Sequence, residues 1–267
     1  MADFAQGLLS NSLIVAAHPD DELLWFGSIL KNVDRVLLVY EDYWPDPVIG
    51  PARAAALSRF PRGNVDSLRL PEAATTGCAN WPKPQLSDWG IELGLQCEIR
   101  DAKQAMKRLF GRSKAPRSGI RRTYEANYKE LVGRLRPQLD STMNIFTHNP
   151  WGEYGHEDHI QVFRALDQLR REIGFKLWMS NYCTERALPL AMSYFETHKP
   201  NYIQLEVDVK FADIVANVYR QTDCWTWADD WSWFETECFM EAPTNQTSIT
   251  SQGHLFPLNM FNIDPVA

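Results

Sequence analysis

Two short runs, SLIVAA (12–17) and RVLLVYE (35–41), are apolar without alternation through their middles, so a strand built from either has no face to give to water. Between them, DELLWFGSILKN places Leu23, Phe26, Gly27 and Leu30 at i, i+3, i+4 and i+7, the spacing of a helix with one buried stripe. Strand, helix, strand in this order is the unit of a parallel sheet covered by helices. The rest of the chain keeps the rhythm. A helix is expected near 52–60, a strand near 66–70, and two helices in EIRDAKQAMKRLFG and TYEANYKELVGRLRP. A strand in NIFTHN (144–149), an amphipathic helix in 158–174 with Ile160, Phe163, Leu166 and Leu169 inward, and a strand in FKLWMSNYC (175–183) follow. The expected fold is α/β, a Rossmann-like three-layer sandwich with a mostly parallel sheet and its active site at the C-terminal ends of the strands. With 267 residues and no convincing linker, one domain over 1–267 is expected, its core at about 10–222 and a Trp-rich segment, 223–267, packed on it.

Composition narrows the function classes. A net charge of -7 disfavours a general nucleic-acid binder and favours a small-molecule substrate. Five scattered cysteines without a C-x-x-C pair read as free thiols in a reducing compartment. The N-terminus lacks the basic region of a secretory signal, and no apolar stretch reaches the roughly 18 residues of a membrane span, so a cytoplasmic enzyme is the expectation. No G-x-G-x-x-G or G-x-x-x-x-G-K-[ST] follows a strand, which leaves a nucleotide-cofactor enzyme without support.

Two strand ends carry the chemistry. The first strand runs into His18-Pro19-Asp20-Asp21-Glu22 at the start of a helix, where one acid would suffice as a cap. The second, THNPWGEYGHEDHIQVF (147–163), holds His148, His156 and His159, the last two spaced to project to one side of a helical turn. In an open α/β sheet, ligands sit outside such strand ends, and the two loops meet if their strands are neighbours. His18, Asp21 and His159 would then offer two imidazoles and one carboxylate, the donor set of a catalytic zinc with a fourth position open to water. Asp20, beside them, is suited to take a proton from that water.

AHPDDE at the first strand end, joined to a downstream GHEDH, resembles the PIG-L/LmbE family of zinc-dependent de-N-acetylases, whose members act on N-acetylglucosaminyl compounds. The first motif matches in full; the second has Glu157 where proline is usual, a position that is not a ligand. The likeness is traceable from about residue 10 to 222, with gaps, and 42–122 follows no family pattern. The resemblance implies that His18, Asp21 and His159 hold one Zn2+ per chain, with Fe2+ or Mn2+ able to occupy the same donors, and that Asp20 is the general base. It further implies that His156 stabilises the oxyanion or protonates the leaving amine, and that Asp158 orients that imidazole and keeps it charged. Tyr154 would polarise the acetyl carbonyl and Arg53 would contact substrate, although the acid usual three residues after that arginine is Ala56 here.

The expected activity is removal of an N-acetyl group from an amino sugar or glycoconjugate. An amidohydrolase acting on a non-sugar N-acyl compound and a non-catalytic, metal-stabilised sugar-binding protein are the alternatives. A binding protein has no use for Asp20 and His156 in these roles. Two features stay outside the motif: the basic loop RSKAPRSGIRR (112–122), read as solvated surface or an anion contact, and Trp225, Trp227, Trp231 and Trp233. The tryptophans serve core, subunit contact or sugar stacking, each alternate pair sharing one face if these are strands. A homo-oligomer is left open.

Overall fold

The computed structural model of the chain describes residues 7–110, 118–197, 201–243 and 256–263. Its strands are β1 (Ser12–Ala16), β2 (Arg35–Asp42), β3 (Val65–Pro71), β4 (Leu86–Ser87), β5 (Gly90–Ile91), β6 (Asn144–Thr147), β7 (Lys176–Met179), β8 (Tyr182–Cys183), β9 (Tyr202–Glu206), β10 (Thr236–Glu241) and β11 (Asn259–Met260). Its α-helices are α1 (Asp21–Leu24), α2 (Ile49–Ser58), α3 (Leu95–Leu109), α4 (Ile120–Leu135), α5 (Glu157–Ile173), α6 (Leu188–Thr197) and α7 (Val209–Gln221).

Seven strands form the central sheet in the order β3-β2-β1-β6-β7-β10-β9. β3, β2, β1, β6 and β7 are parallel, whereas β10 runs antiparallel to both β7 and β9. This is the mostly parallel α/β sandwich that the unbroken apolar runs predict. β1 sends Leu13 and Val15 into a core shared with α4 and α5, and Ile14 and Ala16 into a second core shared with the segment after α1 and with α7. Burial on both faces is why β1 tolerates no alternation, each fully buried large side chain contributing on the order of 1.5–3 kcal/mol.

Three expectations need correction. The helix expected over DELLWFGSILKN stops at Leu24. The amides of Gly27 and Ser28 donate instead to the buried Glu237 carboxylate, at 3.1 and 2.9 Å, and are lost to the helical ladder. Nor is one stripe buried there, since Leu23, Leu24, Trp25, Phe26, Ile29 and Leu30 are all fully enclosed. The strand expected over 175–183 breaks at Ser180 and Asn181, where the Asn181 side chain accepts from Cys238 N–H and donates to Pro257 O, and the chain turns away to pair β8 with β11. The tryptophan pairs are not on strands, because 222–235 is irregular. Residues 112–117 of the basic loop, and 244–255 and 264–267 of the C-terminal segment, lie outside the described residues.

Candidate metal centre

β1 pairs directly with β6, Val15 standing opposite Thr147. Chain order runs from β1 through β2 to β3 on one side and from β6 to β7 on the other, so β1 and β6 flank the point where the connections reverse, the crevice in which such sheets bind ligands. His18 leaves the end of β1 and His148 the end of β6. The two histidine-bearing loops therefore meet, and the His18 and His159 rings lie 5.5 Å apart between centroids.

Asp21 is the hinge of the cluster. Its Oδ2 lies 3.2 Å from His18 Nδ1, 3.3 Å from His159 Nε2 and 3.5 Å from His148 Nε2. The carboxylate is aimed by the His18 N–H, which donates to Oδ2 at 2.7 Å, and by Trp25 Nε1, which donates to Oδ1 at 2.8 Å. Burial works to raise its pKa, but the surrounding imidazoles hold it well below the carboxylate range.

Glu153, which the sequence reading passed over, sits behind these residues. His159 Nδ1 lies 2.7 Å and His148 Nδ1 3.1 Å from its Oε2, and burial is outweighed by both rings so that its carboxyl is held down to about 2. With Nδ1–H committed to Glu153, the lone pair of His159 sits on Nε2. That atom is buried and has no hydrogen-bond partner among the described residues. An imidazole lone pair 3.3 Å from a carboxylate oxygen is repulsive unless a proton or a cation lies between them. Burial lowers the His159 pKa, yet Asp21 and Glu153 push it up to about 9. Glu72, Asp158 and Asp21 likewise overcome burial to push His18 up to about 10.

The orphaned Nε2 and the donor chemistry fit a divalent cation held by His18, Asp21 and His159. Among the described residues, donor atoms converge within 4.8 Å in three sets: His18 with His156 and His159, Asp21 with His148 and His159, and His18 with Glu72 and Asp158. His148 is the least suited of these to ligate. Its Nε2 already accepts from the Ala17 N–H at 2.8 Å while Nδ1 faces Glu153.

Asp20 occupies a left-handed backbone conformation, φ 103° and ψ -22°, that non-glycine residues avoid at a cost of about 1–3 kcal/mol. Glu153 is left-handed too, at φ 49°. Asp20 is fixed by its N–H to Glu22 Oε2 at 3.0 Å and by Thr226 Oγ1, which donates to its Oδ2 at 2.9 Å. Burial and the neighbouring Asp21 charge push its carboxyl up to about 7. Glu22 is pushed to about 8 by burial, against the hydroxyl of Tyr219, which donates to it at 2.7 Å. Arg53 lies in the same cavity wall, its Nη1 donating to Glu72 and to Glu41 O. Glu72, 19 residues along the chain, is a buried acid that pairs with Arg53.

The Asp158 carboxylate lies 3.4 Å from His18 Nε2 and accepts from Thr75 Oγ1 at 3.0 Å. It is the Asp158 backbone N–H that meets His156, donating to Nδ1 at 3.2 Å, because His156 is the N-cap of α5. Burial, then the neighbouring His18 and His159 rings, hold the His156 pKa well below the ordinary value. With Nδ1 accepting, its proton is on Nε2, 3.1 Å from Thr76 Oγ1.

A cavity of about 230 Å³ opens onto these groups, its walls formed by His18, Asp20, Asp21, Arg53, Glu72, Thr76, Tyr154, His156, Thr226, Trp227 and Ile263. Trp227 packs edge-on to Trp25 and Tyr154, ring centroids 5.3 Å apart in each pair. A larger cavity of about 890 Å³ adjoins it and shares Thr76, Tyr154 and Ile263. Besides Glu153, the sequence reading missed Glu72, Thr76 and Thr226, whose contributions come from loops without a motif.

No family model matches the chain, and no curated protein does either. Among solved structures, a deacetylase of teicoplanin biosynthesis in complex with teicoplanin is similar over 86% of this chain and 97% of that one, at 10% identity and a TM-score of 0.47. The N,N'-diacetylchitobiose deacetylase from Pyrococcus horikoshii, with its inhibitor MPG, is similar over 82% and 71%, at 14% identity and a TM-score of 0.40.

Proposed function

We propose that this protein is a divalent-metal-dependent hydrolase that removes an N-acetyl group from an amino sugar or glycoconjugate, of the kind the PIG-L/LmbE motifs imply. The observation that carries the reading is the orphaned His159 Nε2 facing Asp21 across from His18, with the separate carboxylate of Asp20 at the same cavity. A divalent ion bound there, Zn2+ by donor type, supplies an acidified water as nucleophile near neutral pH.

The chain's own residues do the rest. Asp21 and His159 are held rigid by Trp25 and Glu153, so the donors need little reorganisation. Asp20, with a carboxyl near 7 and one oxygen pinned by Thr226, is poised to take a proton from water and return it to the departing amine nitrogen. His156, whose Nδ1 accepts from the Asp158 N–H, offers its Nε2–H to the acyl oxygen as negative charge develops there. Asp158 acts on His18 rather than on His156. Tyr154 and Trp227 wall the small cavity, which suits an acetamido group, and the adjoining larger cavity takes the rest of the substrate. Trp227 offers a ring on which a sugar face stacks.

Acetate release across a panel of N-acetylated sugars and N-acylated non-sugar amides, with protein loaded with Zn2+, Fe2+ or Mn2+, tests the reading. Turnover confined to non-sugar amides moves the substrate class. Absence of turnover on every member with every ion leaves the hydrolase proposal without its activity.

A further inference from the structure

Helix α3 is inside out. Leu95, Ile99, Met106, Leu109 and Phe110 fall within an arc of about 100° on a helical projection, the width of a core-facing stripe. Yet they are 79, 46, 60, 83 and 76% exposed. The opposite face, with Cys97, Asp101, Gln104 and Arg108, is the one turned to the protein, anchored by Asp101, whose carboxylate accepts the Ile120 N–H at 3.0 Å. A helix ordinarily hides its apolar stripe, and a contiguous exposed one marks a surface meant to be covered. From Leu95 to Leu109 it runs for about 21 Å at the rise of an α-helix.

Charge identifies the cover. The described residues of 95–122 hold six basic side chains and two acidic ones, a net of +4 in a chain whose total is -7. Lys103 and Lys107 flank the apolar stripe on the side of the large cavity, where with Arg100 they form part of its wall. Neither lysine has an ion-pair partner among the described residues, and Arg100 Nη1 donates only to the carbonyls of Ala74 and Thr76 and to the Cys78 sulfur. An apolar stripe bordered by cations is the pattern of a helix lying in the interface of an anionic bilayer. A second copy docked symmetrically would set this cationic face against itself. A nucleic acid would answer the cations but not the five apolar side chains.

We propose that α3, with the cations that flank its apolar stripe, docks this protein on the surface of a membrane containing anionic lipid, presenting the mouth of the large cavity to the headgroup layer. The docking is independent of the hydrolase reading and tested without turnover.

The test is co-sedimentation of the full chain with vesicles of phosphatidylcholine alone or with about 30 mol % phosphatidylserine, at low salt and at about 0.5 M salt. The parent protein is expected to pellet with the phosphatidylserine vesicles and to be released by salt. Leu109→Ser with Phe110→Ser, both at solvent-exposed positions, is expected to weaken binding at least about tenfold with an unchanged circular dichroism spectrum. Lys103→Glu with Lys107→Glu is expected to abolish the preference for phosphatidylserine. A parent protein that stays in the supernatant at low salt overturns the proposal, as does a serine double variant that pellets like the parent. A dimer of the parent that the serine variant dissolves, with no lipid binding by either, would assign the face to a second copy instead.

Discussion

Glu153 Oε2 lies 2.7 Å from His159 Nδ1, deep under the candidate metal centre and with no exposure to solvent. This single contact fixes which nitrogen of His159 faces Asp21. A carboxylate behind a ligating imidazole both orients the ring and makes its far nitrogen a better donor.

Replacing Glu153 with Gln therefore keeps the shape and weakens the hold. Metal affinity is expected to fall by about 10- to 100-fold. Competition for Zn2+ against a chromophoric chelator measures it. An affinity equal to the parent's would mean that the His159 ring is held by its packing alone.

Asp20→Asn removes the proton acceptor and leaves every proposed ligand in place. Turnover is expected to fall by roughly 10²- to 10⁴-fold while metal content stays at the parent level. Parallel acetate-release assays and metal analysis separate the two quantities. A variant as fast as the parent would move the base to another group.

Glu237 gives a pH prediction away from the metal. Burial raises its carboxyl above the ordinary glutamate value, against donors from Gly27, Ser28 and Tyr182. Because the folded state holds this proton more tightly than the unfolded chain, the group's contribution is fully present below the unfolded pKa and is lost as pH rises through the folded one. The stability gap between the parent and Glu237→Gln should narrow as pH rises above the ordinary glutamate range in urea unfolding. A gap that widens with pH would contradict the sign.

What could be read in the letters followed physical distance along the chain. β1 and β2 were legible because burial on both sheet faces leaves no polar alternation, and α5 because its apolar residues keep helical spacing. The strand-end loops announced their chemistry by density of histidine and aspartate. Adjacency of β1 and β6, on which the site depends, is a matter of strand order that no local pattern encodes. The same reason hid Glu237, which ends the helix after Leu24 from 209 to 210 residues away, and Thr226, which reaches Asp20 from 206 residues away. Glu153 gave a weak signal, an acid between His148 and His159 in a loop with Gly152 and Gly155, both at positive φ. The Asp158 backbone N–H, rather than its carboxylate, meets His156, a contact set by the helix start and invisible in the motif. The apolar spacing of α3 was no guide to which way the helix faces.

Divalent-metal content per chain, measured by equilibrium dialysis against Zn2+ for the parent, His18→Ala and His159→Ala, bears most directly on the central claim. One ion per parent chain is expected, with occupancy lost in both variants although their circular dichroism spectra match the parent's. Full occupancy in either variant would remove that histidine from the ligand set, and a parent chain that binds no ion would contradict the metal centre itself.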